Sequence, residues 1–400
     1  MKILMVNKFL YPKGGAETYV LNLGKALEAR GHRVQYFGLA NEKNTVGNEA
    51  GAYVTNLDFS TGIRANLTAP LRILYSREAR RKIRKVLEDF QPDVVHLNNI
   101  QFHLTPSVIL EVQAYKTQTQ RNVKIIYTAH DYQLICPSHG LLDSAGQICE
   151  KCLGGDYTQC FRTKCLKHSR AKSLLATLDA YLWKRSKAYS YIDAIICCSA
   201  FLKSKLDTQE RFRQKCVALH NFVEPAEQQA VQKENYVLEF GHLSKDKGTL
   251  TLLEAAQNMP DTRFLFAGFG PAVEEIRKIP NGEYLGFLTG EALETRIRKA
   301  AVTVCPSLWY ENCPFSVIES QICGTPVVGA RIGGIPELIE EGQTGELFTP
   351  GDARDLERKL RSVLAKADTY SRNCRHYPHE TPETYCQKLM QIYGEPHETI

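Results

Sequence analysis

Two glutamates, Glu311 and Glu319, stand eight positions apart in YENCPFSVIES (310–320), either side of a Cys-Pro-Phe break in an otherwise apolar stretch. Carboxylates are seldom buried without partners, so a pair in such a run points to a surface or a cleft. Other residues able to do chemistry fall at the ends of apolar runs. After KILMVN (2–7), the turn PKGGAE brings Gly14 and Gly15 ahead of an amphipathic helix. Glycines there let the backbone approach a ligand, and the helix N-terminus offers N–H donors to an anion, although packing alone also makes such turns. YTAHDYQLICP closes another run on His130 and Asp131. A histidine in that place can donate to a phosphate, hold a sugar hydroxyl, or cap a turn with its aspartate neighbour. In GHLSKDKGTL (241–250), Lys247 and Gly248 lie where a loop enters a helix, so an ammonium and a helix N-terminus could act on one phosphate, the alternative being a solvated loop. IGGIPELIEEG (332–342) repeats the device, with Gly333 and Gly334 ahead of Pro336 at the first helical position.

The elements that must position these groups are short apolar runs, each followed by a helical pattern. They are 2–7, 33–39, 93–98, 124–131, 194–199, 236–241, 263–268, 302–307 and 325–330, interleaved with helices such as 16–30 and 248–258. Continuous apolar strands alternating with helices predict parallel sheets covered on both faces, an α/β class. Four hundred residues exceed one comfortable core. The helix-poor stretch 220–236 separates five runs from four and reads as the linker between two Rossmann-like domains facing a cleft. The expected boundaries are 1–222, 236–375 and a closing helical segment, 376–400. Ligands of open parallel sheets bind beyond the carboxyl ends of strands, where the polar residues above are found.

Composition bounds the function. Hydrophobic content of 43% and charged content of 24% are those of a globular protein. The net charge of +6 hides an asymmetry: residues 1–190 hold 27 Lys+Arg against 15 Asp+Glu, and 191–400 hold 23 against 29. A basic half fits an anionic partner such as phosphate or lipid headgroups, or solvated helix faces. The N-terminus does not read as a signal peptide and no run approaches eighteen apolar residues, so the expected location is cytoplasmic. Gly-x-Gly-x-x-Gly is missing at the first turn and at GFGPAV (268–273), which argues against a nicotinamide-dependent oxidoreductase. Asp-x-Asp is missing throughout, which argues against metal-dependent sugar transferases of the other common fold.

VCPSLWYENCPFSVIESQICGTPVVGARIGGIPELI resembles the signature of retaining glycosyltransferases of family 4. There a Glu, seven residues and a second Glu precede Gly-x-Pro-Val and Gly-Gly-x-Pro-Glu. The early Gly-Gly-x-Glu, His130 and the Gly-x-Leu…Lys-Gly loop match in order, so the resemblance spans roughly residues 2 to 345. It implies a GT-B fold, with a nucleotide-sugar donor, most simply a UDP- or GDP-sugar, held by the second domain. A glycan or lipid-linked acceptor is held by the first, and the last helix crosses back. It further implies that Glu319 accepts the ribose hydroxyls, that Glu311 grips hydroxyls of the donor sugar beside the N–H groups near Cys313 and Phe315, and that Gly15, with Gly14, meets the donor phosphate. His130 would stand near the reacting carbon, and Lys247 with the helix N-termini at Gly15 and Gly334 would steady the leaving diphosphate. No catalytic metal is expected. One departure is His242, where the family has Arg; a histidine is not the always-charged fork that arginine is.

Two features fall outside this pattern. ICEKCLGGDYTQCFRTKC places Cys149, Cys152, Cys160 and Cys165 in a turn-rich insertion (about 136–165), with Cys136 and His139 as rival ligands. This reads as a structural zinc knuckle, or else as packed or redox-active thiols. The segments 77–90 and 167–189 read as helices with positive faces, which suit solvent or peripheral docking on an anionic membrane. A non-catalytic adaptor using the knuckle and these helices on nucleic acid is the alternative to a sugar transferase; with the latter reading, no nucleic-acid partner is expected.

Overall fold

The computed structural model describes residues 1–56, 72–225 and 231–394. The chain divides into two compact units, Met1–His220 with Pro382–Ile400, and Asn221–Thr381. The middle of the expected linker and the last residues of the expected closing segment lie outside the described residues.

In the first unit the strands are β1 (Lys2–Val6), β2 (Arg33–Phe37), β3 (Val94–Leu97), β4 (Lys124–Ala129), β5 (Ala194–Cys197) and β6 (Cys216–Ala218). They form one parallel sheet in the order β2-β1-β3-β4-β5-β6. Ile3 to Val6 are buried without alternation, as strands covered on both faces require. The helices are α1 (Gly15–Ala29), α2 (Arg77–Phe90), α3 (Ser107–Thr119), α4 (Thr158–Thr163), α5 (Arg170–Arg185), α6 (Ala200–Leu206) and α7 (Glu210–Arg213). Strand order reverses between β1 and β3, so the ends of those strands flank the natural binding crevice of this sheet.

The basic helix α2 turns Ala79, Ile83, Val86, Leu87 and Phe90 inward and begins on a Ser76 cap that accepts the Ala79 N–H. Its Arg80 and Arg84 clasp Glu111 of α3, with Nε to carboxylate distances of 2.7 and 2.6 Å. Two of its cations therefore hold the fold together.

The second unit repeats the plan with β7 (Glu234–His242), β8 (Arg263–Phe269), β9 (Gly282–Gly286), β10 (Ala300–Cys305), β11 (Val327–Ala330) and β12 (Gly345–Phe348), ordered β12-β11-β10-β7-β8-β9. Its helices are α8 (Thr249–Gln257), α9 (Val273–Ile276), α10 (Gly290–Lys299), α11 (Phe315–Ile322), α12 (Ala353–Leu364) and α13 (Ala367–His376). Here the order reverses between β7 and β10.

The last helix, α14 (Pro382–Tyr393), groups with the first unit. A buried polar chain fixes it there. Tyr385 and Tyr19 share a hydroxyl contact of 2.7 Å, and Tyr393 meets His96 Nδ1 at 2.6 Å. His96 Nε2 meets Thr128 Oγ1 at 2.6 Å. Burial pushes the His96 imidazole down to about 3, so it stays neutral and the network carries no buried cation.

Candidate functional site

The C-terminal ends of β7 and β10 bring together two of the residues singled out in the sequence, Lys247 and Glu311. The turn after β7 carries Lys247, and the loop after β10 carries Glu311. Lys247 Nζ donates to Glu311 Oε1 at 2.5 Å, and Ser307 Oγ donates to the same oxygen at 3.2 Å. The ammonium also lies 4.5 Å from the centre of the Trp309 ring, whose face attracts a cation. An ammonium has three donors. With one spent on Glu311, the rest remain for an anion.

The Gly333–Gly334 turn braces this loop, and its role differs from the expected one. The helix it opens is a three-residue 3₁₀ turn (Ile335–Glu337), too short to present an anion site. The Gly334 N–H is already spent, donating to the Glu311 carbonyl at 2.7 Å. Gly333 has φ +61, and a Cβ there would lie 2.2 Å from the Glu311 carbonyl oxygen. The glycines let one backbone rest against another, which fixes Glu311.

Glu319 lies on α11, half-buried, and burial alone raises its carboxyl above the ordinary value. A desolvated carboxylate of that kind gains when hydroxyl donors arrive. Cys313 is buried; its sulfur accepts the Asn221 N–H at 3.3 Å and its carbonyl accepts Asn221 Nδ2 at 3.2 Å. Burial pushes its thiol up to about 12, so it is no nucleophile at neutral pH. Phe315 opens α11 behind Pro314. His242 ends β7, exposed, its ring edge-on to Phe269 at 5.2 Å.

The sequence reading passed over Glu239. It is buried within β7, where Thr249 Oγ1 donates to its Oε1 at 2.8 Å, and burial raises its carboxyl to about 8. It therefore ties the first residue of α8 to the sheet beside Lys247. The only sequence signal was one acidic residue inside YVLEFG.

In the first unit, the ends of β1, β3 and β4 gather a second set. His130 Nε2–H donates to Asn98 Oδ1 at 2.9 Å, and its ring meets Tyr19 edge-on at 4.9 Å. Burial lowers His130 to about 4, which makes it a neutral imidazole at pH 7. Gly14 caps α1 and, like Gly15, is exposed. The α1 N-terminus is shared, however, because the carboxyl of Glu17 folds back over it. A Cβ on Gly14 would lie 3.4 Å from Glu17 Oε2, and Asn7 Nδ2 reaches Glu17 Oε1 at 3.4 Å. Lys8 and Lys13 flank the same turn, both over the Phe9 ring.

The cysteines expected as a knuckle gather in one part of the insertion: burial, with the nearby Cys136, Cys165 and Cys149, raises the Cys152 thiol. Among the described residues, no three His, Cys, Asp or Glu side chains are placed to hold a metal ion. Cys152 and Cys160 instead share a small apolar core with Tyr157, and Cys165 packs against it. Thr163 Oγ1 lies 2.9 Å from the Cys165 sulfur, and hydrogen bonding from Cys160 pulls the Cys165 thiol below its ordinary value. Cys149 is outside that core; its N–H donates to the Leu141 carbonyl at 2.7 Å. Among the described residues, no helix is long and apolar enough to cross a membrane.

Comparison with known proteins agrees with this geometry. A family model described as Glycosyltransferase Family 4 matches residues 13–227, and one described as Glycosyl transferases group 1 matches residues 222–377. Sulfoquinovosyl transferase SQD2 of Arabidopsis thaliana is 36% identical over 139 residues, which are 33% of this chain and 27% of that protein. An uncharacterized 42.6 kDa protein in the cps region of Klebsiella pneumoniae is 23% identical over 369 residues, 84% of this chain and 87% of the other. Among solved structures, Anabaena Alr3699/HepE in complex with UDP superposes with a TM-score of 0.67 at 18% identity, covering 98% of this chain and 99% of that one. Its complex with UDP-glucose gives 0.62. At such identities the likeness is one of fold.

Proposed function

The chain belongs to glycosyltransferase family 4, has the GT-B fold and is an enzyme that transfers sugars; from that premise we propose that it moves a sugar from a nucleoside diphosphate to a glycan or lipid-linked acceptor with retention of anomeric configuration. The observation that carries this reading is the Lys247–Glu311 pair at the point where the strand order of the second sheet reverses.

Breaking a sugar–phosphate bond builds negative charge on the departing diphosphate and positive charge at the anomeric carbon. Lys247, with donors left over from Glu311, meets the diphosphate. Glu311 holds hydroxyls of the transferred sugar, and Glu319 accepts the ribose hydroxyls. The acceptor oxygen attacks the anomeric carbon from the face the phosphate leaves. The carbon–oxygen bond to phosphate breaks as the new glycosidic bond forms, and the acceptor proton passes to a phosphate oxygen. No protein nucleophile is required, which suits a site whose cysteine is buried and protonated. His130, Gly14 and Gly15, in the first unit, keep the roles the resemblance gives them: the neutral imidazole can hold a hydroxyl near the reacting carbon, and the glycines can meet the donor phosphate. His242, lacking the planar five-donor fork of the arginine usual in the family, leaves more of the phosphate to Lys247.

The structural neighbours that carry UDP and UDP-glucose support a nucleotide-sugar donor, and the relative from a cps region supports a polysaccharide product. A thermal-shift panel of UDP-, GDP- and ADP-sugars tests this, because a ligand that binds only the folded state raises Tm. One base should raise it by several degrees; no rise with any member would contradict the reading.

A further inference from the structure

Of the two basic helices, α2 spends two of its cations on Glu111, whereas α5 leaves a row of leucines exposed. Leu174, Leu178 and Leu182 recur every fourth residue, so they form one stripe, and they are 44%, 50% and 40% exposed. The opposite face is anchored. Ser173, Ala176, Thr177 and Trp183 are buried; Thr177 Oγ1 donates to the Tyr157 carbonyl and Trp183 stacks on Tyr75. The helix therefore cannot simply roll its leucines inward.

Cations surround this stripe. Between 162 and 187 there are eight, Arg162, Lys164, Lys167, Arg170, Lys172, Lys184, Arg185 and Lys187, all exposed, and of these Lys184 turns back to donate to the Gly155 carbonyl at 3.0 Å. The single carboxyl in that span, Asp179, is turned toward Trp183, whose Nε1 donates to it at 2.9 Å. Arg170 and Lys172 lie in the first turn of α5, which has no acidic residue. Cations at a helix N-terminus oppose the helix dipole, so helix stability does not account for them. An external anionic surface does.

We propose that the leucine stripe of α5 and its cationic surround are the face by which this protein rests on an anionic lipid bilayer. Leucines enter the boundary between headgroups and acyl chains while lysines and arginines meet lipid phosphates at both ends. Nucleic acid would use the cations and leave three leucines without a role. The inference rests on the sugar-transfer reading for its purpose, since it names the surface on which a lipid-linked acceptor is met.

The test is co-sedimentation of the full chain with vesicles of phosphatidylcholine, with and without phosphatidylglycerol, in the absence of any sugar nucleotide. The parent should partition onto the anionic vesicles, more weakly as salt rises, and not onto the zwitterionic ones. L174S/L178S/L182S changes only exposed side chains; it should lose about tenfold or more of that partition at unchanged Tm and unchanged sugar-nucleotide binding. Equal partition by parent and triple variant, no partition by the parent, or salt-sensitive binding of a mixed-sequence RNA without vesicle binding would each overturn the proposal. Because no donor is present, failure here leaves the transferase reading standing, and failure of donor binding leaves this result intact.

Discussion

Lys247 reaches Glu311 across 64 residues of sequence, and the two side chains meet at 2.5 Å where β7 and β10 lie side by side. The pair is half-buried, with the Trp309 ring beneath the ammonium. An ion pair in that position holds a cation and an acceptor ready at fixed places, so neither has to be ordered when a charged ligand arrives.

Lys247→Ala should therefore slow transfer far more than it weakens donor binding in the ground state. Loss of one donor to a charge that grows in the transition state costs about 100- to 1,000-fold in kcat. Steady-state kinetics with the donor found by the thermal-shift panel will show a fall in kcat of that size and a smaller rise in KM. Normal turnover would remove Lys247 from the reaction.

Glu319→Gln should separate binding from stability. Burial alone raises this carboxyl, so its charged form is already disfavoured in the fold and a neutral amide of the same shape loses nothing there. Tm should stay the same or rise. Two charge-assisted hydrogen bonds to ribose would be weakened, for about tenfold or more in Kd for the nucleotide. A variant that binds as tightly as the parent would show that Glu319 faces no hydroxyl.

Gly333→Ala should harm activity through its packing against Glu311. Its φ of +61 disfavours any side chain, and the new Cβ would press on the Glu311 carbonyl at 2.2 Å. We expect a loss of about 1–3 kcal/mol in stability and at least tenfold in kcat. Gly342→Ala is the control, because it has φ +79 but nothing within 4 Å of its Cβ. It should cost some stability and leave kcat alone. Equal kcat in the two variants would contradict the bracing role.

Glu239 gives a pH-dependent signature of known sign. Its folded value, about 8, is above the ordinary 4.5, so the folded state holds a proton that the unfolded state releases between those limits. Stability from this group is full below about 4.5 and is lost as pH rises toward 8. Glu239→Gln keeps an acceptor for Thr249 and removes the titration. Its Tm advantage over the parent should grow from pH 5 to pH 8; a difference that does not change with pH would show that Glu239 is not held protonated.

The sequence exposed the interior strands because each is a continuous apolar run, as in KILMV and AIIC. It did not expose the edge strands β6, β9 and β12. CVA is three residues long, and GEYLG and GELF mix glycine and glutamate with apolar residues, as half-covered edges do. The placement of Lys247, Glu311 and His130 was legible because polar residues close the apolar runs: all three stand beyond a strand's C-terminal end. It was not legible where the deciding contact runs between distant backbones. Gly334 was read as a donor to ligand, yet its N–H faces Glu311, and no spacing rule reports that. Glu239 and His96 were hidden because one polar residue inside a buried strand gives no periodic signal. In the insertion, cysteine spacing alone could not say that Cys152 and Cys160 would share a small core with Tyr157.

The most direct test of the account is calorimetric titration of the nucleoside diphosphate selected by the panel, beside its nucleoside without phosphate, into the parent and Lys247→Ala. The parent should bind the diphosphate at least tenfold more tightly than the nucleoside, and the variant should lose most of that difference while keeping its affinity for the nucleoside. A diphosphate preference that survives unchanged in Lys247→Ala would contradict the claim that this ammonium holds the leaving group.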